Sequence, residues 1–396
     1  MGIGKWVALA LVRTARLDLD EGFLARGLPN AERAEVVARG AKIPELEVEA
    51  QSIQSELLRE LGDMQGALAA CDRALALVAA SEVPLRTKAE VLLARASLLR
   101  RSSRVQEAVE AYAEAIAAFR KCSARRQEAR AKNALAFSMF ILERFEDAIA
   151  LALSSLAIDL EIGGRFQIAK TLTTIGRSYS RLGDQPRAMA YLKRARDAHE
   201  RYGDQNNRAA TLLASAEALI ETGDLDAAHV FASDAAALNS VTNKTYDYVH
   251  ERIVRARIAR RQGNFAGAVR YAEEARMTAD GHSMVSFGLY ATSVEAVSRL
   301  DIGDPDSAVT LATQALETVE TIQGSEFGTA IRARCYEALA GAGSPHAAYA
   351  RERAAAHIQV VADAIHDTRL RTLFLNRPMI ANVMSGGGRG ARGTTA

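Results

Sequence analysis

A repeat of about 40 residues limits what this chain can fold into, because similar units in series build arrays that stack on one another. Five segments align at multiples of this spacing, and each carries a glycine followed by a polar residue near its start. They are LGDMQGALAACDRAL from Leu61, RLGDQPRAMAYLKRA from Arg181, ETGDLDAAHVFASDA from Glu221, RQGNFAGAVRYAEEA from Arg261 and DIGDPDSAVTLATQA from Asp301. One alanine column runs through all units: Ala67, Ala108, Ala148, Ala188, Ala228, Ala268, Ala308 and Ala348.

Three further columns keep the register of these alanines. Small residues stand twelve positions before nearly every alanine of the column and seven positions after each one. Between them lies a turn column of Gly62, Gly183, Gly223, Gly263, Gly303 and Gly343, which Ser103 and Glu143 replace in the second and third units. Small residues at fixed heights allow two helices to approach closely, so the columns predict pairs of packed helices.

The turn column indicates how each pair is connected. Glycine tolerates the left-handed conformation in which many helices end, and a following Asp or Asn can cap the next helix. In Gly303-Asp304-Pro305 the proline falls at the first helical position, where its missing N–H costs nothing. Each unit is therefore predicted to be helix, tight turn, helix, and the stacked units form a solenoid with one continuous core.

Composition supports an all-α fold and excludes several functional classes. Only 7 prolines and 6% aromatic residues occur, which favours helices over sheets. Fifty basic and 48 acidic side chains give a net charge of +2, so no global field attracts nucleic acid or an anionic membrane. The apolar N-terminal run is interrupted by Arg13 and Arg16, and we predict neither a signal peptide nor membrane insertion.

The sequence lacks the motifs of the common catalytic and metal sites. Cys71, Cys122 and Cys335 are too few and too scattered for a disulfide framework or a zinc site, and they suit a reducing cytoplasm. The seven histidines never form HExxH, and no phosphate-binding loop or nucleophile elbow is present. We therefore predict a cytoplasmic protein that is not an enzyme, with no catalytic residue, no metal and no cofactor.

The spacing of the columns resembles that of the tetratricopeptide repeat: a small residue, seven positions to Gly, five to Ala and seven to Ala. The resemblance covers about residues 44–366, with a period longer than the usual 34. The long period is similar to that of long repeat variants in bacterial signalling proteins. The segment 203–224 and the closing RLRTLFLNRP also resemble repeat regions that follow kinase or ATPase domains in such proteins. The resemblance implies a right-handed superhelical solenoid of about eight helix-turn-helix repeats, whose first helices line a concave groove.

Groove positions carried over from the repeat family predict a charged partner-binding surface. These positions are Arg177, Arg181, Glu217, Glu221, Arg257 and Arg261, and the predicted surface also includes Arg260. One interpretation is a ladder of ion pairs that braces successive repeats, and the other is a docking strip for a partner with acidic groups. The sequence does not decide between them.

The ends of the chain lie outside the eight repeats. Residues 1–43 are predicted to be an N-terminal helical cap made from a degenerate repeat. Residues 367–380 are predicted to form a C-terminal capping helix that buries Leu370, Leu373 and Phe374, and residues 381–396 a flexible Gly/Arg tail.

These features predict a protein-binding scaffold or adaptor in a bacterial signalling or regulatory system. Its partner would be a protein or peptide held in the concave groove. A peptide-sensing regulator is the first alternative, and an RNA-binding helical-repeat protein, suggested by the RGARG of the tail, is the second.

Overall fold

All regular elements of the computed structural model, which describes residues 2–165, 167–202 and 207–386, are helices. In chain order they are α1 Ile3–Asp20, α2 Leu24–Gly40, α3 Pro44–Glu60, α4 Met64–Ala80, α5 Leu85–Arg101, α6 Val105–Lys121, α7 Arg125–Ile141, α8 Phe145–Glu161, α9 Ile168–Leu182, α10 Gln185–Tyr202, α11 Arg208–Thr222, α12 Leu225–Thr242, α13 Thr245–Arg261, α14 Phe265–Gly281, α15 Val285–Asp301, α16 Pro305–Val319, α17 Gly328–Gly341, α18 Ala347–Asp363, α19 Thr368–Leu375 and α20 Pro378–Ser385. The predicted all-α solenoid of helix-turn-helix repeats is confirmed.

Helices α3 to α18 make eight successive pairs, one for each predicted repeat. Helices α1 and α2 make a further pair of the same length in the segment predicted as an N-terminal cap. The chain divides into two compact units, residues 1–138 (unit 1) and 139–396 (unit 2), and the boundary falls within α7.

The turns between paired helices follow the predicted chemistry. Gly183, Gly223 and Gly263 adopt φ values of 87°, 88° and 80°, in the left-handed region that glycine tolerates. Ser103 and Glu143, which replace glycine in this column, have φ values of 60° and 57°. The same backbone turn is therefore made without glycine in two repeats, at a cost of about 1 kcal/mol each.

Residues after the turn cap the second helix of several pairs. The carboxylates of Asp63, Asp224 and Asp304 accept hydrogen bonds from the backbone N–H groups three residues later, and the amide oxygen of Asn264 does the same. These caps satisfy donors that a helix start otherwise leaves unpaired.

The small residues lie where paired helices approach most closely. The alanine column is fully buried in its first seven units, from Ala67 to Ala308. A Cβ atom on Gly176 would come within 2.7 Å of Leu192 Cγ and 3.2 Å of the Ala188 carbonyl oxygen. Only glycine fits here without displacing α10.

The last repeat departs from the predicted register. Ala348 is exposed, and Ala350 and Ala354 are buried in place of the predicted column. The physical reason is the start of α18 at Ala347, after a turn that includes Pro345, so the buried face of the helix moves by two residues.

The C-terminal segment forms two short helices. Asp367 caps α19, which buries Leu370 and Phe374 and packs against α9. Helix α20 begins at Pro378 and packs against α17 and α18.

The predicted boundaries at 380 and 381 are therefore wrong. One capping helix is replaced by two, and residues 381–385 continue α20 because Ile380 and Val383 are buried. Leu373 is half-buried. Residues 387–396 of the predicted tail lie outside the described residues.

Candidate partner-binding groove

Arg177 on α9 is buried, with only 9% of its surface exposed. Its Nη2 lies 2.5 Å from Glu326 Oε2, and its guanidinium stacks on Phe140 with 4.5 Å between the guanidinium carbon and the ring centre. Burial alone would lower the pKa of Arg177, but Glu326, together with Tyr246 and Glu217, reverses this and raises it. The side chain is fixed by a partner 149 residues away in the chain.

The next groove residues form a ladder of ion pairs across α9, α11 and α13. Glu217 Oε2 lies 3.5 Å from Arg181 Nη2, and Glu217 Oε1 lies 3.0 Å from Arg257 Nη1. Arg257 Nη2 also reaches Glu221 Oε1 at 2.7 Å. The alternation of basic and acidic positions along the sequence is thus realised as direct contacts between successive repeats.

The carboxylates of this ladder stay ionised in the interior. Burial alone would raise the pKa of Glu217. The nearby Arg181, His250 and Arg257 have the larger combined effect and lower this pKa to well below its usual range. The same balance, with Arg377 and Arg257 as the main cations, lowers the pKa of Glu221 to about 2.

Arg260 and Arg261, at the end of α13, differ from the ladder. Arg260 Nε lies 2.6 Å from Asp301 Oδ2, and its Nη2 lies 2.6 Å from Glu337 Oε1. Arg261 is exposed and makes no ion pair with the described residues.

The predicted site residues therefore fall into two sets. Arg177, Arg181 and Glu217 are paired in the interior of unit 2. The others line an open pocket of about 360 Å³ (the α13 pocket), whose charged lining side chains are Glu221, Arg257, Arg260, Arg261, Arg334 and Glu337. Whether this surface docks a partner stays a prediction.

A cluster of aromatic rings supports the ladder. The ring centres of Tyr290 and Phe327 lie 4.1 Å apart in a stacked arrangement, and Phe287 meets Phe327 edge-on at 4.9 Å. Tyr246 Oη donates to Glu326 at 3.4 Å, and burial raises the pKa of this tyrosine. Sequence reasoning missed the cluster, although Phe287 and Phe327 stand one 40-residue step apart.

A second missed feature, which we call the Glu143 clasp, joins the turn after α7 to α17 and α18. The buried Glu143 carboxylate accepts hydrogen bonds from the Thr329 backbone N–H at 3.0 Å and from its hydroxyl at 3.1 Å, and lies 2.5 Å from His357 Nε2. Burial alone would raise the pKa of Glu143, but His357, the Thr329 N–H and Arg332 together lower it below its usual value. The sequence carried one signal for this contact, namely a glutamate at a turn position that glycine occupies in most other repeats.

Unit 1 has an inner surface of its own on α3, α5 and α7. Its two neighbouring pockets, of about 330 and 400 Å³, are lined by mixed charges: Arg16, Glu45, Glu49, Glu56, Arg59, Arg86, Glu90 and Arg130. Arg16 Nη1 lies 2.9 Å from Glu56 Oε1, and about a third of each side chain is exposed.

The cysteines, the possible metal ligands and the apolar helices give no further candidate site among the described residues. Burial raises the pKa of the Cys71 thiol to about 11 and that of Cys335 to about 12, which suits packed thiols rather than nucleophiles. The described residues contain no group of three or more His, Cys, Asp or Glu side chains arranged to hold a metal ion. Over the same residues, every helix is too short or too polar to cross a membrane.

Comparison with known proteins identifies the repeat. Residues 127–201 match the family model of the tetratricopeptide repeat. No curated protein matches the sequence. The family model matches this one part of the chain, and the solved structures described next share its tetratricopeptide-like fold.

Three solved structures share the fold at low sequence identity. A Rap protein complexed with Competence and Sporulation Factor aligns with a TM-score of 0.67 and 14% identity, over 89% of this chain and 100% of that one. Apo RapI gives 0.59 and 15%, over 69% and 99% of the two chains. Aspartyl phosphate phosphatase F from Bacillus subtilis gives 0.60 and 13%, over 75% and 76%.

Proposed function

Because the chain is built from tetratricopeptide-like repeats, we propose that it is a non-catalytic scaffold that binds a protein or peptide partner in the concave groove of unit 2. The observation that carries this proposal is the α13 pocket. Four successive first helices, α11, α13, α15 and α17, contribute to its lining, together with α20. A surface shared by several repeats suits an extended partner better than a small substrate.

The two sets of charged residues take different roles in this proposal. Arg260 and Arg261 contact acidic groups of the partner, and Glu221 sets its register, because complementary charge mainly gives specificity and association rate. Arg257 lines the same pocket but is held by Glu217 and Glu221. Arg177, Arg181 and Glu217 act indirectly, since their buried ion pairs hold the helices that carry the pocket. Both interpretations of the sequence pattern then apply, each to its own residues.

We assign the scaffold to a bacterial signalling or regulatory system in the cytoplasm. Support comes from the Rap-type fold and from three cysteines that form no disulfide. A peptide-sensing regulator is the second candidate, because the Rap protein complexed with Competence and Sporulation Factor holds that factor on a solenoid of this fold.

The test is capture of a partner from nuclease-treated lysate of the source cells, identified by mass spectrometry. We expect Arg261→Glu to abolish capture without lowering the melting temperature, because this side chain is exposed and unpaired among the described residues. The matched control is Arg194→Glu, an exposed arginine on the second helix α10, which should retain capture.

Two outcomes would overturn the proposal. Equal capture by wild type and Arg261→Glu would place the binding surface elsewhere. Capture that disappears on nuclease treatment would favour the RNA-binding alternative over protein binding.

A further inference from the structure

Arg334 on α17 is a buried cation without a counterion. Only 9% of its surface is exposed, and no carboxylate of the described residues lies within ion-pair distance. Its Nη1 donates to the Ala330 carbonyl oxygen at 3.3 Å, and its guanidinium carbon lies 5.1 Å from the Tyr290 ring centre. Neither contact neutralises the charge.

Arg332, two residues earlier on the same helix, has the same 9% exposure, but its guanidinium group has a counterion. Its Nε donates to Glu320 Oε1 at 2.8 Å, its Nη1 donates to the Gly328 carbonyl oxygen and its Nη2 to the Val319 carbonyl oxygen. Arg334 therefore differs in its partners, not in its depth.

Arg334 lines the α13 pocket, where positive charge exceeds negative charge. Four guanidinium groups and two carboxylates face it, and both carboxylates are already engaged. Glu221 pairs with Arg257 and Arg377, and Glu337 pairs with Arg260. Arg334 and Arg261 make no ion pair with the described residues, so the pocket lining carries about two more positive than negative charges.

This arrangement costs folding free energy, since a buried charge is unfavourable unless it is paired. Burial and the neighbouring Arg257 lower the pKa of Arg334, in contrast to the raised pKa of Arg257 itself. Perturbed, uncompensated groups in a cleft are typical of binding sites.

We propose that the α13 pocket binds a dianionic phosphoryl group through Arg334 and Arg261. A phosphate monoester carries close to two negative charges at pH 7 and three acceptor oxygens, which matches the excess charge and the forked donors of arginine. A single carboxylate would leave one cation uncompensated. This inference rests on the proposed function for its partner, whereas the anion site itself requires no partner.

The first experiment uses the purified chain and inorganic phosphate, with sodium chloride added to hold the ionic strength constant. Phosphate should raise the melting temperature at pH 7.5, because a ligand that binds only the folded state stabilises it. Arg334→Met should require at least about tenfold more phosphate for the same rise. Without phosphate, Arg334→Met should melt at or above the wild-type temperature, whereas Arg332→Met should melt lower.

The pH dependence separates phosphate from other anions. Inorganic phosphate is mainly the monoanion at pH 5.5, because its second proton is lost only near neutral pH, so its effect should weaken at pH 5.5. Sulfate, which keeps both charges at that pH, should retain its effect at both pH values.

A second variant keeps the test decisive if Arg334→Met does not fold. Arg261→Gln changes an exposed side chain and should also weaken the phosphate response. A rise in melting temperature that persists in both variants, or that chloride reproduces at equal ionic strength, would overturn the proposed site. Because these measurements need no partner, their failure is distinct from failure of partner capture.

The source of the phosphoryl group is resolved with a captured partner. If the partner carries it, phosphatase treatment of the partner and added inorganic phosphate should both reduce capture by wild type. If a free phosphorylated metabolite fills the pocket, phosphatase treatment should leave capture unchanged while the purified chain still responds to phosphate.

Discussion

The same repeat position carries an ion pair in both units, and its setting differs completely. Arg16 and Glu56 in unit 1 stand 40 residues apart, as do Glu217 and Arg257 in unit 2. The N–O distances are 2.9 and 3.0 Å. In unit 1 the side chains are 36% and 33% exposed, but in unit 2 each is 7% exposed.

The difference shows that the repeat determines which two residues form the ion pair, but not how deeply the pair is buried. In unit 2 the rings around Phe327, the residue Glu326 and the two C-terminal helices cover the ion-pair ladder, while in unit 1 the pair faces open pockets. An exposed pair contributes about 0–1 kcal/mol, whereas breaking a buried one costs about 3–5 kcal/mol. The two units therefore respond differently to equivalent changes.

The largest effect should come from truncation after His366, which removes α19 and α20. Four buried apolar side chains, Leu370, Phe374, Ile380 and Val383, would be lost, each worth about 1.5–3 kcal/mol at full burial. We expect unit 2 to lose at least about 5 kcal/mol of unfolding free energy, or to aggregate, in chemical denaturation followed by circular dichroism.

The control is deletion of residues 387–396 alone, a segment without large apolar residues. It should leave the denaturation midpoint unchanged. Equal effects of the two truncations would show that α19 and α20 do not stabilise the inner surface of unit 2.

The next effect compares the equivalent ion pairs directly. Glu217→Gln should destabilise by about 3–5 kcal/mol because it leaves Arg257 and Arg181 without their shared buried carboxylate. Glu56→Gln should cost less than about 1 kcal/mol, and salt should reduce that cost further. Denaturation of both variants at low and high salt is the measurement, and similar losses would contradict the role assigned to burial.

Acid should weaken unit 2 through its buried carboxylates. The pKa of Glu221 is about 2 in the folded state, below that of an unfolded glutamate, so its stabilisation is present above about pH 4.5. It is lost as the pH falls toward 2, and amounts to about 3 kcal/mol for this shift. Glu221→Gln should flatten the fall in stability between pH 4.5 and 2. An unchanged slope would show that the folded protein does not lower the pKa of Glu221.

The smallest effect compares the two turns that lack glycine. Ser103→Gly in unit 1 should stabilise by about 0.5–1 kcal/mol, since it relieves a left-handed backbone and Ser103 has no clasp role. Glu143→Gly relieves the same strain but removes the Glu143 clasp, and should destabilise by about 2 kcal/mol net. Melting temperatures that move in the same direction would contradict a stabilising clasp.

Local rules in the sequence predicted most of the fold. Glycine at the left-handed turns, the caps that follow and the buried alanines act within a few residues, so the 40-residue pattern reveals them. Where a helix started late, as α18 does at Ala347, the pattern placed the wrong alanines in the core. The turn that contains Pro345 and delays this helix was not visible in the pattern.

The candidate site was predictable only in part. The alternation of Arg177, Glu217 and Arg257 at one repeat position predicted neighbouring opposite charges, which are present. Their depth was not predictable, because it depends on Glu326 and on helices at the end of the chain. Arg334 escaped notice because only the surrounding contacts reveal that it lacks a counterion.

The Glu143 clasp also has a consequence for how unit 2 is made. Its hydrogen bonds join residues 186 and 214 positions apart, so they must wait for a large loop to close. Repeat arrays with only neighbour contacts can fold step by step as they leave the ribosome, and such local topologies fold fast. In unit 2 the turn at Glu143 cannot be secured until α17 and α18 have been synthesised. The first repeats of unit 2 therefore emerge with the Glu143 carboxylate still unpaired, and the synthesis of α17 and α18 sets when this unit can close.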